Sequence, residues 1–167
     1  MNQIMKINFV KLADFSALKN SVAVLVLTQE KTKISKLKQV KFAQENFDFS
    51  GKNNEAHLLS LDNKIVVLIG AGEEKKLDEL NVQKLGGRIQ AFLNSAKIAD
   101  ATVFFESKNL AQDAANMAFG ANLQSYRFNQ YFVDKKKDKE VKLQNLSFAV
   151  ADVSKRKSNI RIGNFGK

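Results

Sequence analysis

IVVLIGAGEEKKLDELNVQKLGGRIQAF, residues 65–92, carries two hydrophobic periods in one short span. Ile65 to Gly70 is an unbroken aliphatic run, the pattern of a strand buried on both faces. From Leu80 the period changes, and Val82, Leu85, Ile89, Phe92, Leu93 and Ala96 fall on one helical stripe. The spacing predicts a helix over Leu80–Lys97, with Asn81 available as its N-cap. A buried strand leading through a short polar link into an amphipathic helix is the unit of an α/β layer fold.

The flanking sequence repeats that unit. Val22 to Leu27 is a second valine-rich buried run, and Met5 to Phe9 alternates in strand fashion. Glu55–Leu61 and Lys64–Gly70 flank Asp62-Asn63, which predicts a hairpin whose second strand is the buried one. Between Glu30 and Asn46, residues Ile34, Leu37, Val40 and Ala43 fall at helical spacing with lysines on the other face, so a short surface helix is expected there. Ala101–Phe105 reads as a strand. Asn109 to about Tyr126 reads as a helix with Leu110, Ala114, Met117 and Ala121 on one face, and Val141–Val150 as a closing strand. No proline and no internal repeat occur. Ser154–Lys167 is basic and lacks sustained periodicity, so the expected organisation is one domain over residues 1–153 and a loose tail over 154–167.

Composition narrows the function classes. The 167 residues suffice for one domain that buries roughly 70% of its unfolded surface. The longest apolar runs have single-strand length and no secretory leader is recognisable, so a cytoplasmic protein with no membrane partner is expected. The absence of cysteine excludes disulfides, thiol nucleophiles and Cys-containing zinc sites. A formal charge of +10 would attract polyanions such as nucleic acid. Only 4 of the 27 cationic residues are arginine, however, and lysine lacks the planar fork used in bidentate recognition. Because the lysines are also spread along the whole chain, a solvated basic surface is favoured over a nucleic-acid site.

Individual motifs give little chemistry. Gly70-Ala71-Gly72 follows a buried strand, where a phosphate loop would lie, but no third glycine opens the next helix and Glu73 and Glu74 would repel an anion. A flexible strand-to-helix link is the expected reading. His57, the single histidine, has no cluster of ligands or nucleophile around it in sequence. Asp78 and Glu79 suit the first turn of a helix better than acid/base work. Gly86-Gly87 costs the best helix about 1 kcal/mol per glycine, which points to close approach of another backbone. Tyr126-Arg127-Phe128 and Tyr131, followed by Lys135, Lys136 and Lys137, offer a possible polyanion contact at Arg127, Lys135, Lys136 and Lys137, although aromatics at this spacing are more simply core or interface anchors.

These same residues carry a family resemblance. The strand ending in Gly-x-Gly at Ile65–Gly72, the helix with Gly86-Gly87, and Gly-Ala-x-Leu-x-x-Tyr-Arg-Phe-x-x-Tyr from Gly120 to Tyr131 with lysines 135–137 resemble the amino-terminal domain of the leucyl aminopeptidase family in order and spacing. Phe49-Ser50-Gly51-Lys52 also fits, and the likeness extends over roughly Lys6–Val150.

The resemblance implies an α/β fold, a mixed sheet flanked by helices on both faces and similar to a macro domain. It implies a non-catalytic domain with a structural or assembly role, because the family's two divalent metals, zinc or manganese, and its catalytic residues belong to a following domain. That domain's Asn-Thr-Asp-Ala-Glu-Gly-Arg signature is absent from this sequence. No catalytic, cofactor or metal residue is therefore carried over. Implied partners are the catalytic domain and, in the complete enzyme, the other subunits of a hexamer. After Val150 the likeness stops, which leaves a truncated or frameshifted product or a standalone relative as expectations. A standalone macro-like module binding nucleic acid or a nucleotide is the alternative, without the Asn-rich turn and glycine-rich loop that ADP-ribose binders use.

Overall fold

The aliphatic runs at residues 22–28 and 64–72 become adjacent parallel strands at the heart of a six-stranded sheet. The computed structural model describes residues 5–11, 18, 21–133 and 143–150, the side chains of 128–133 excepted. Strand β2 (Val22–Thr28) lies between β4 (Lys64–Gly72) and β5 (Asp100–Phe105), parallel to both. Strand β6 (Asn145–Ala149) runs parallel beside β5, and β1 (Lys6–Val10) parallel beside β6. At the other edge β3 (Ala56–Leu61) pairs antiparallel with β4, giving the order β1-β6-β5-β2-β4-β3. The hairpin turn falls at Asp62 and Asn63, both at positive φ (55° and 63°), as a two-residue turn matched to strand twist requires.

Why the central runs are apolar throughout is clear from where alternate side chains go. Val24, Val26, Val67 and Ile69 enter one core, beneath the helices α3 (Glu79–Ser95) and α4 (Leu110–Val133). Ala23, Leu25, Leu27, Val66 and Leu68 enter a second core on the opposite face, with Val40 and Ala43 of α2 (Lys38–Phe47) and with Phe49. Each buried aliphatic contributes about 1.5–3 kcal/mol, so a polar residue at any of these buried positions would be costly. The chain is thus a mixed sheet with helices on both faces.

Four features differ from expectation. The single helix expected over residues 30–46 is two: α1 (Gln29–Ile34) and α2, separated at Ser35, whose backbone is extended. Thr28 starts α1 by accepting the Lys31 N–H on its hydroxyl, so β2 passes directly into the helix. Helix α3 is capped by Asp78 rather than Asn81: the Asp78 carboxylate accepts the Asn81 N–H at 2.8 Å, while the Asn81 amide turns back to the Lys76 carbonyl. Helix α4 runs beyond Tyr126 to Val133, there being neither glycine nor proline between Gly120 and Val133 to stop it. The closing strand is Asn145–Ala149, shorter than expected; Val141 and Lys142, the tail at 154–167 and the boundary at 153 lie outside the described residues.

Candidate functional site

In open α/β sheets, ligands bind in the crevice outside the carboxyl ends of the strands. Here that crevice receives a segment of the chain itself. After α2, Asp48 takes a left-handed conformation (φ 57°) and turns the backbone toward the ends of β2 and β4. Gly51 follows at φ +88°, a conformation for which glycine is the natural residue; a Cβ there would lie 2.7 Å from the Thr28 carbonyl oxygen and 2.6 Å from the Thr32 hydroxyl. The Glu55 carboxylate folds back over this loop. One oxygen accepts the backbone N–H groups of Ser50 (3.0 Å), Gly51 (2.8 Å) and Lys52 (2.9 Å), a nest of donors that would otherwise suit an anionic ligand.

The loop then closes on Gly70-Ala71-Gly72. The Gly72 N–H donates to the Gly51 carbonyl at 2.8 Å and the Gly70 N–H to the Glu55 carbonyl at 2.9 Å. A side chain at Gly70 would meet the Lys52 carbonyl oxygen at 2.0 Å. Arg88 of α3 clamps the assembly, donating to the Asn53 carbonyl and, at 2.8 Å, to the Gly70 carbonyl. It is half-buried, and desolvation lowers its guanidinium pKa; among the described residues it has no carboxylate partner, so these carbonyls carry the compensation. Gly70-Ala71-Gly72 is accordingly no flexible link but the tight floor under a docked loop.

The rim of the crevice carries charges of both signs. Glu30 follows β2, Glu73 and Glu74 follow β4, and Glu106 follows β5. Glu30 accepts the Glu74 N–H at 3.0 Å, and that bond holds its carboxyl below the ordinary 4.5. Lys31 lies 3.4 Å from Glu106. Lys76 lies 3.7 Å from Glu73, and Lys33 and Lys75 stand near enough to Glu30 to lower its pKa further, so the rim carboxylates are matched by lysines.

The Gly86-Gly87 pair resolves into two different roles. A Cβ on Gly86 would lie 2.0 Å from the Met117 carbonyl oxygen, and one on Gly120 would lie 1.8 Å from that of Gln83, so α3 and α4 cross with backbones in contact. Gly87 is looser, its hypothetical Cβ 3.5 Å from the Gly120 carbonyl oxygen. The close approach anticipated from sequence is to a neighbouring helix, and Gly86 carries it.

His57 sits on edge strand β3, stacked on Phe47 at 5.0 Å and edge-on to Phe49 at 5.8 Å, an aromatic packing role. Among the described residues no group of three or more His, Asp or Glu side chains could hold a metal. Arg127 is exposed on α4; Lys135, Lys136 and Lys137 lie outside the described residues. Glu55 and Arg88, the two side chains that build the junction, were not singled out from sequence. The only signal for them was their position beside glycine motifs.

Residues 22–135 match the model of the cytosol aminopeptidase family, N-terminal domain. The chain belongs to this family. The matched span takes in the Gly51 loop, the Gly70 floor, Arg88 and the α3–α4 crossing. Among relatives, a protein of Ehrlichia ruminantium (strain Welgevonden) described as a probable cytosol aminopeptidase is 39% identical over 88 residues, 53% of this chain and 17% of that protein. One of Rhodopseudomonas palustris with the same description is 35% identical over 125 residues, 71% of this chain and 25% of that protein. The chain thus spans between about a sixth and a quarter of the length of these relatives. A mutant of tomato leucine aminopeptidase superposes with a TM-score of 0.73 at 16% identity, over 98% of this chain and 36% of its own, which shows a shared fold. Among the described residues no helix is long and apolar enough to cross a membrane.

Proposed function

We propose that this family N-terminal domain is non-catalytic and serves assembly: it packs on a metal-dependent aminopeptidase catalytic domain and helps shape a cytoplasmic hexamer. The observation that carries the reading is the crevice at the strand ends, where the Gly51–Asn53 loop, tied by Glu55 and Arg88, stands in the place a substrate or nucleotide would take. In this reading the two divalent metals, zinc or manganese, and the peptide-bond chemistry reside wholly in the catalytic domain.

The surface best suited to meet that domain is the outer face of α4. Phe119, Leu123 and Tyr126 recur at helical spacing and are 57%, 41% and 60% exposed. Asn109 to Tyr126 contains one charged residue, Asp113, in a chain of 23 lysines. Depletion of charge around exposed aromatics is the composition of an interface core. The test has two arms. The pure chain should leave leucine anilide unhydrolysed with manganese or zinc, and turnover would overturn the non-catalytic assignment. Mixed with a family catalytic domain lacking its own N-terminal domain, the chain should co-elute, and Phe119→Asp with Leu123→Asp should abolish co-elution; no complex, or one indifferent to the substitutions, would overturn the assembly reading. The nucleotide alternative predicts a thermal shift with ADP-ribose, which the loop tied across the crevice argues against.

A further inference from the structure

The connection between α1 and α2 has a composition that neither core packing nor the assembly role uses. Residues 31–42, KTKISKLKQVKF, hold five lysines and no acid. Within it Ile34 is 70% exposed and Leu37 40% exposed, although both occupy the helical spacing that in sequence suggested a buried stripe. The break at Ser35 explains this: it ends α1 before Ile34 can turn inward, and the Leu37 N–H bonds the Ser35 hydroxyl at 3.2 Å, holding a tight corner between the helices. Helix α2 buries Gln39, Val40 and Ala43 instead. The corner thus presents two aliphatic tips to solvent, flanked by exposed Lys33, Lys36, Lys38 and Lys41. Lys38 pairs with Asp62 of the hairpin turn at 2.5 Å; among the described residues Lys33, Lys36 and Lys41 form no ion pair, with Glu30 near enough to Lys33 to feel its charge.

From this geometry we infer that the α1–α2 corner is a peripheral docking site for an anionic lipid surface. Aliphatic tips enter the headgroup boundary while the lysines reach lipid phosphates and carboxylates, the arrangement by which basic amphipathic segments lie on a membrane without spanning it. The lack of a long apolar helix among the described residues bears on spanning alone. Nucleic acid fits the corner less well, since the patch has no arginine fork and no exposed aromatic for stacking, and solvent-directed aliphatics would contribute nothing on a phosphate backbone. Each lysine near an anionic surface strengthens binding about fivefold, and burial of an aliphatic side chain about tenfold.

Flotation of the full 167-residue chain with vesicles of phosphatidylcholine, alone or with a third of phosphatidylserine, tests this. Expected is binding to the mixed vesicles only, weakened by salt. Lys33→Gln, Lys36→Gln and Lys41→Gln together should weaken it about a hundredfold, and Ile34→Ser with Leu37→Ser by tenfold or more, with melting temperatures retained because all five side chains face solvent. Failure to bind would overturn the inference. So would binding that the lysine variant retains, which would place the contact elsewhere on this +10 chain, or binding indifferent to the aliphatic variant. Duplex DNA binding that the lysine variant loses and the aliphatic variant keeps, without vesicle binding, would assign the patch to nucleic acid instead.

Discussion

Gly86→Ala and Gly87→Ala, adjacent in one helix and identical in chemistry, should move stability in opposite directions. At Gly86 the added methyl sits 2.0 Å from the Met117 carbonyl oxygen, 1.4 Å short of the 3.4 Å at which ordinary contact begins, and the obstacle is backbone that no rotamer change removes. Relief requires α3 and α4 to part, opening the core that Val82, Leu85, Ile89 and Met117 close. Overpacking of this kind costs about 1–3 kcal/mol. Alanine's helix preference returns up to about 1 kcal/mol. The net is a loss of up to about 2 kcal/mol, or a melting temperature lower by up to about 8 °C for a chain of this size. At Gly87 the nearest atom is 3.5 Å away, so only the helix preference acts and the melting temperature should rise by about 2–4 °C. Gly120→Ala, 1.8 Å from the Gln83 carbonyl oxygen, should behave as Gly86→Ala, and the double variant should cost less than the sum because one separation of the helices relieves both clashes. Thermal and urea melts followed by circular dichroism read all four. A Gly86→Ala protein that melts at or above Gly87→Ala would refute the backbone-contact account.

Arg88→Lys should destabilise by about 1–3 kcal/mol, since one ammonium cannot serve both the Asn53 and Gly70 carbonyls, and limited trypsin digestion should then cut faster after Lys52; unchanged cleavage would separate Arg88 from the loop. Asp78→Ala should cost about 1 kcal/mol and Asn81→Ala clearly less, because the carboxylate caps α3; equal losses would restore Asn81 as cap. Asp113 is raised above 3.8 by burial, partly offset by the hydrogen bond from Ser107, so the folded state holds its proton more tightly than the unfolded chain. Its contribution is present below 3.8 and lost as pH rises through the folded value, so Asp113→Asn should flatten the fall in stability from acid toward neutral pH, and an unchanged profile would assign that slope to other groups.

Features set by neighbours in sequence were legible, and features set by backbone partners far away were not. The β3–β4 hairpin could be read because Asp62-Asn63 itself supplies the turn, and both cores could be anticipated from runs whose alternate residues face opposite ways. Asp78 and Asn81 are both good caps, and only the strand-to-helix geometry chooses between them. The break at Ser35 was hidden because Ile34 and Leu37 preserve a helical period that the fold does not use. The family motifs were visible, yet their purpose was not: Gly70 answers to Lys52, Gly86 to Met117, and Arg88 to two carbonyls 35 and 18 residues upstream. A carbonyl acceptor looks the same beneath every side chain, so sequence gives no hint of it.

The strand order has a consequence for how the chain can be made. Among the described strands, β1 is made before the others, and its neighbour β6 is made after them. On a ribosome, β2 to β5 can assemble while β1 waits unpaired and β5 keeps an open, pairing-competent edge until Asn145–Ala149 emerges and slots between them. Any product that ends before Asn145 therefore forfeits two strands rather than one, and exposes the edge from which intermolecular pairing starts.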